Sequence, residues 1–241
     1  MSNPLTNGLI CSYPLNEGGG QRAFNSANSR SSAPLSGGAV FSRTTVDGEV
    51  DFNGIQFTGS KIVIPNPWSD TPTSYTVSCW FKSSNILIGK FLFNWRNPGT
   101  SAIWFQVNST NTSRIDFTVG DNAGIANCLS GTLSSNVWYN FVGVRDGNNI
   151  YNYINGVYQS TASRAFGNRT NITDCVIGAQ SGDYNADWLG KINKVNVWKR
   201  ALNATEIMSL YTNPNQIYKT NNNIIYQQIA NLKSKFWFFF D

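Results

Sequence analysis

Apolar residues along this chain recur mostly with period two. Tyr75 to Lys82 (Tyr-Thr-Val-Ser-Cys-Trp-Phe-Lys) alternates in this way, which places one set of side chains on the core face of a strand. Similar short runs occupy residues 9–15, 86–94, 102–108, 114–119, 175–177 and 190–198, and two more lie within 46–64, around Asn53-Gly54 and Thr58-Gly59. Residues 137–160 predict an antiparallel meander of three strands. Trp138, Phe141 and Val144 belong to the first and Ile150 to Ile154 form the second, with turns at Asp146-Gly147 and Asn155-Gly156. Both dipeptides suit tight hairpin turns, whose central residues need positive φ. Many short strands separated by turns predict an all-β fold, a jelly-roll β-sandwich of two antiparallel sheets.

The pattern changes near the C-terminus. Ala204 to Tyr211 predicts a helix, capped by Asn203, with Glu206 three residues on as in a capping box and Pro214 as the stop. Residues 221–235 predict a second helix with Ile225, Ile229 and Leu232 on one stripe. The chain then ends Phe236-Trp237-Phe238-Phe239-Phe240-Asp241.

Composition agrees with a sandwich. Of 241 residues, 41% are hydrophobic and 13% charged, with 8 Trp, 10 Tyr and 15 Phe, so an aromatic core is faced by uncharged polar residues. The net charge of +5 is scattered, with Lys199-Arg200 the sole adjacent basic pair; the clustered basic stripe of a nucleic-acid binder is missing. No apolar run nears the ~20 residues of a membrane span, and the N-terminus lacks the basic and apolar regions of a signal peptide. Cys11, Cys79, Cys128 and Cys175 are far apart and include no Cys-x-x-Cys. They are expected to be buried thiols, with disulfides as the alternative in an oxidising place.

Three blocks, taken in order, carry a resemblance. The first is Gly8-Leu9-Ile10-Cys11-Ser12-Tyr13-Pro14-Leu15-Asn16-Glu17-Gly18. The second is the meander from Trp138 to Gly156, with its turn at Tyr153-Ile154-Asn155-Gly156. The third runs through Ile177-Gly178-Ala179, Leu189 to Trp198, Arg200 to Ile207 and Leu210-Tyr211. Together they resemble the laminin-G-like and pentraxin-like domains of the concanavalin A-like lectin/glucanase superfamily, over about residues 8–218. The resemblance implies a jelly roll with one curved sheet. It also implies binding of glycans, proteins or calcium, or glycosidase activity, without choosing among them.

Chemistry narrows the choice. The chain has no histidine, which removes Ser-His-Asp catalysis and His-bound zinc. Glycoside hydrolysis needs only two carboxylates, but the glutamates are only Glu17, Glu49 and Glu206. Asp47, Glu49 and Asp51 are spaced by two without the second Glu of the superfamily's glucanase motif, and read as an ordinary solvated strand. No catalytic residue is expected.

The resemblance places calcium ligands after Ile177-Gly178. Gln180, Asp183, Asn185 and Asp187 supply oxygens there, with Asn97 as a further contributor; a polar turn without metal is the leading reading, and one bound Ca²⁺ is the alternative. Trp95, Arg96, Tyr184 and Trp188 are the candidate ligand-binding residues, since exposed aromatic rings stack on sugar C–H faces; core burial competes for Trp188. Trp80, Trp104, Trp138 and Trp198 lie on strand patterns and are expected in the core.

Two units follow. Residues 1–218 form the laminin-G-like domain and 219–241 a docking segment. The five aromatics Phe236, Trp237, Phe238, Phe239 and Phe240 would each bury roughly 150–250 Å², together on the order of 1,000 Å², more than a monomer normally exposes. With Ile225, Ile229 and Leu232 they are expected to dock on other virion proteins or on copies of the chain, with packing back onto their own domain as the alternative. The resulting expectation is a non-enzymatic, lectin-like virion surface protein that adheres to surface glycans, with an extracellular adhesion domain or a β-glucanase as alternatives.

Overall fold

The computed structural model describes residues 3–17, 20–27, 31–37, 39–42, 49–52, 61–68, 72–86, 89–97, 101–108, 110–111, 113–167, 174–180 and 186–218. The chain begins with a 3₁₀ turn, Pro4–Thr6, followed by β1 (Leu9–Tyr13), β2 (Arg22–Phe24), β3 (Ser32–Ser36), β4 (Ala39–Ser42), β5 (Glu49–Phe52), β6 (Lys61–Ile64), β7 (Ser74–Lys82) and β8 (Phe91–Asn97). Then come β9 (Ser101–Val107), β10 (Ile115–Asp121), β11 (Gly124–Leu129), β12 (Tyr139–Asp146), β13 (Asn149–Ile154), β14 (Val157–Ser163), β15 (Asp174–Ile177), β16 (Gly190–Trp198) and one helix, α1 (Ala204–Thr212).

The strands form two sheets. The first runs β14-β13-β12-β7-β16-β5-β4, with β1 also paired to β16, and the second runs β11-β10-β9-β8-β15-β6-β3-β2. β1 and β5 share β16, β5 on residues 190–192 and β1 on Val195 to Trp198. The register shift between Asn193 and Asn196, with Lys194 at φ 50°, separates the two pairings. The all-β sandwich expectation holds.

Alternation builds the core between the sheets. Phe105 of the second sheet meets Phe141 of the first at 4.6 Å, and Phe93 and Phe117 lie 5.9 and 5.5 Å from Phe105. Gly143 makes this packing possible: a Cβ there would stand 2.7 Å from both Phe105 and Phe117.

A second, smaller apolar layer covers the outer side of the first sheet. Val142 and Val144 of β12 pack there with Leu5, Trp198, Leu202, Ile207 and Leu210. Trp198 Nε1 donates to the Leu5 carbonyl at 2.7 Å. The predicted capping box is present: Asn203 Oδ1 accepts from the Glu206 amide, Glu206 Oε2 accepts from the Asn203 amide, and Arg200 holds both Glu206 oxygens at 2.6 and 2.9 Å. That guanidinium is the largest influence holding the Glu206 carboxyl below its usual range.

Local details differ from the pattern reading. The Asn155-Gly156 turn is as expected, with φ 51° and 80°. The preceding turn is centred on Gly147-Asn148, because Asp146 still pairs with Asn149. Trp138 precedes its strand, and β8 begins at Phe91, past Gly89 at φ 73°. Strands β2, β3, β4 and β11 were not expected. All four cysteines are free and buried, and burial raises the Cys11 thiol pKa to about 12 and that of Cys128 to about 11. Asp47, the predicted helix over 221–235 and the whole docking segment lie outside the described residues; Glu49 and Asp51 are in β5. Among the described residues no helix is long and apolar enough to cross a membrane.

Candidate functional site

The second sheet presents an outer face that no described helix covers. In β9, Ile103, Phe105 and Val107 point into the core, so Trp104 and Gln106 point outward. The same parity turns Asn94 of β8, Asp116 and Thr118 of β10 and Asn127 of β11 to the outer face. Register aligns a transverse row, Val63–Val176–Asn94–Trp104–Thr118–Asn127. Its ends are exposed. Its middle is sunk, with Asn94 at 0% and Thr118 and Val176 at 2% exposure. Trp104 alone in that sunken middle is half-buried rather than buried.

The neighbouring row adds Phe91, Gln106, Asp116 and Leu129. A register shift between Phe91 and Phe93 turns Phe91 outward, where its ring meets Trp104 edge-on at 6.5 Å. Asp116 accepts from Asn108 Nδ2 through both oxygens, at 2.9 and 3.1 Å. Burial pushes the Asp116 carboxyl up and the Asn108 amide opposes this, leaving it above its usual range. Gln106 and Asn127 make no side-chain hydrogen bond within the described residues. Gln106 lies two residues from Trp104 on one strand, roughly 6.5–7 Å away, and Asn127 lies two strands across, roughly 9–10 Å away. A flat ring flanked by two amides at these spacings can hold an apolar ring face while exchanging hydrogen bonds with hydroxyls at its rim.

The expected ligand-binding residues are placed elsewhere. Trp95 and Trp188 are 2% and 1% exposed. Trp95 packs 3.9 Å from Trp68, and Trp188 stands edge-on to Phe81 at 5.5 Å. Neither ring has a face to offer a sugar: this corrects Trp95 as a stacking platform, and for Trp188 it is the competing core reading that holds. Arg96 and Asn97 are the last two residues of β8, with side chains outside the described set. Asp183, Tyr184 and Asn185 lie outside the described residues altogether. Gln180 is half-buried and Asp187 is 2% exposed. Among the described residues no three His, Cys, Asp or Glu side chains converge.

Of the tryptophans expected in the core, only Trp198 is there; Trp80, Trp104 and Trp138 are half-buried. The signal for Trp104 was the phase of its strand: with Ile103, Phe105 and Val107 inside, Trp104 and Gln106 are outside.

Comparison with known proteins fits this architecture. No curated protein matches the chain. Among solved structures, the binding domain of Paraclostridial Mosquitocidal Protein 1 aligns at 16% identity with a TM-score of 0.68, over 86% of this chain and 52% of that one. The chain thus spans about half of that structure. Domain 4 of AbnA, an extracellular arabinanase from Geobacillus stearothermophilus, in complex with arabinotriose, aligns at 15% identity with a TM-score of 0.67, over 84% of this chain and 98% of that domain. The ligand binding domain of botulinum neurotoxin serotype D, in complex with N-acetylneuraminic acid, aligns at 14% identity with a TM-score of 0.67, over 86% of this chain and 51% of that one. At these identities the likeness shows the fold. A family model, Laminin_G_3, described as concanavalin A-like lectin/glucanases superfamily, matches residues 57–208, well over half of the chain. The sandwich of two antiparallel sheets and this match together make the chain a member of the laminin-G-type family of the concanavalin A-like lectin/glucanase superfamily.

Proposed function

We propose that the chain is a non-enzymatic carbohydrate-binding module that holds a saccharide on the outer face of its second sheet. Trp104 stacks on the sugar ring, Gln106 and Asn127 meet its hydroxyls, and Asn94 and Thr118 flank the tryptophan and fix its position. The half-exposed Trp104 in a sunken polar row carries this reading. The arabinotriose complex supports it, because the chain spans 98% of that domain. The N-acetylneuraminic acid complex supports it less, since only 51% of that chain is matched.

Binding without hydrolysis follows from the carboxylates. Hydrolysis takes two of them, about 5–9.5 Å apart. Asp116 is the one carboxylate among the side chains described on this face, and Asn108 engages both its oxygens. The module acts at a surface: a virion surface, attached to other virion proteins or to copies of itself through residues 219–241, or a cell exterior. The sequence of five aromatics from Phe236 to Phe240 supports an attachment role. Phe238 and Phe239 changed to Ser together should lower the sedimentation coefficient of the assembly while the sandwich stays folded.

Calcium is a separate proposal, resting on the sequence of 180–187. The described part of that loop supplies a single carboxylate, Asp187, short of the several oxygens calcium takes. Chelation that leaves the melting temperature and saccharide binding unchanged would remove it.

The binding reading is tested by titrating arabinotriose and an array of neutral oligosaccharides against wild type and Trp104→Ala. Loss of binding by about tenfold or more is expected, the size of an aromatic platform's contribution. Equal binding by the two proteins rejects the site.

A further inference from the structure

The first sheet carries a second tryptophan-centred row on its own outer face. Val77, Cys79 and Phe81 of β7 point into the core, so Trp80 and Lys82 point outward. Asn140 and Asn193 are the register partners of Trp80 on the two neighbouring strands, an arrangement parallel to Asn94–Trp104–Thr118 on the other sheet. Trp80 is half-buried, and Tyr211 of α1, 37% exposed, stacks on it with centroids 5.8 Å apart and planes 18° apart. The Asn140 Oδ1 atom is buried and accepts no hydrogen bond, and the Tyr211 hydroxyl has no protein partner among the described residues.

The charges next to this row are unusual for a sheet. Lys82 and Lys191 are direct cross-strand partners. Like charges directly opposite one another are destabilising. Lys191 has another interaction. Lys82, half-buried and two residues from Trp80 on the same face, makes no ion pair or side-chain hydrogen bond with any described residue. Lys191 is paired with Asp51 of β5 on its other side, so it is Lys82 that lacks a counter-charge, and an anion beside it would supply one and offset the repulsion. The chain's excess of 18 basic over 13 acidic residues favours such a ligand.

We infer that the Trp80–Tyr211 pair and Lys82 form a second saccharide site, selective for an acidic sugar, on the opposite side of the sandwich from Trp104. The inference rests on the saccharide-binding reading above and adds to it a ligand class and a second valency. The stacked rings take the sugar face, while Lys82 donates to the carboxylate or sulfate group. An acidic peptide would satisfy Lys82 but leave the aromatic pair unused, so a sugar is favoured. Two sites on opposite faces let one chain bridge two glycan chains, which multiplies avidity without new contacts.

The test is an array of uronate-, sialate- and sulfate-bearing glycans printed beside their neutral analogues and polyglutamate. Wild type is expected to prefer acidic glycans, and Lys82→Met to lower that binding about tenfold, the scale of a charge-assisted hydrogen bond. Lys82→Arg should restore it. Because Trp80 and Tyr211 also pin the helix to the sheet, Lys82→Met is the decisive variant; it leaves the stack intact and, with the like-charge repulsion removed, should melt at or above wild type. Trp104→Ala should lose neutral glycans and keep acidic ones. No acidic preference in wild type, a preference that survives Lys82→Met, or equal binding of polyglutamate overturns the second site. None of these results bears on the Trp104 site, which fails only if neutral binding survives Trp104→Ala.

Discussion

On the first sheet, outward-facing Trp198 is sealed beneath Leu5, Leu202 and the helix; on the second, outward-facing Trp104 meets no helix among the described residues. The two rings occupy equivalent places, each one position out of phase with a core stripe. Their neighbours set them apart. Around Trp198 stand Val142, Val144, Ile207 and Leu210, and its indole N–H is spent on the Leu5 carbonyl. Around Trp104 stand Asn94, Thr118, Gln106 and Asp116. An outward aromatic among aliphatic residues belongs to a second core; Trp104, set among amides and a hydroxyl with Phe91 at its edge, is the ring for which saccharide binding is proposed.

The comparison breaks most visibly at Trp198. Replacing it by Ala should destabilise the domain by about 3–5 kcal/mol, as for a buried Trp that leaves a cavity, and strands the Leu5 acceptor as well. Chemical denaturation measures this. The fraction still folded should bind neutral glycan as wild type does, because Trp104 lies across the core.

The next effect lies where the sheets meet. Asp121 ends β10 on the second sheet, and Arg164 follows β14 on the first, with Nη1 2.7 Å from Asp121 Oδ1. Burial acts to raise the Asp121 pKa. Arg164 and the amides of Gly167 and Ala123 outweigh it and hold the group at about 2, against about 3.9 in an unfolded chain. A depressed folded-state pKa gives stability that is present above pH ~4 and lost as pH falls toward 2. The loss should be about 2–3 kcal/mol. Asp121→Asn should flatten the pH dependence of stability in this window; an unchanged acid limb would mean the bridge does not hold the sheets together.

Smaller again is the helix cap. Asn203→Ala should cost about 1 kcal/mol, reported by earlier amide exchange in α1 than in the sheets. The cover of the first face should loosen while the outer face of the second sheet is untouched.

Much of this fold could be read in the sequence, because strands with one wet face alternate. β7 and β16 were bounded to within a residue, and the helix and its capping box were placed from Asn203, Glu206 and Pro214. The missed strands were those with little alternation to read. Ser32–Ser36 contains a proline and two serines, and Gly124–Leu129 mixes small and polar residues; they are strands because neighbouring strands pair with them. The site was harder. Trp95 and Trp188 are large aromatics beside polar loops, yet packing against Trp68 and Phe81 takes them inside. Trp104 reads as core by its type, whereas the phase of Ile103 and Phe105 places it outside.

Trp104→Ala gives the smallest change in stability and the sharpest division between the faces. A half-buried ring with no described helix over it returns little apolar area to water on truncation, so the loss should stay within about 1 kcal/mol. The edge contact with Phe91 accounts for part of that. Binding should respond in the opposite sense, falling by about tenfold or more for a neutral saccharide. Trp198→Ala, measured beside it, should show large instability with intact affinity in the folded fraction. If instead Trp104→Ala unfolded the domain as Trp198→Ala does, the second sheet's outer face would be a covered layer like the first.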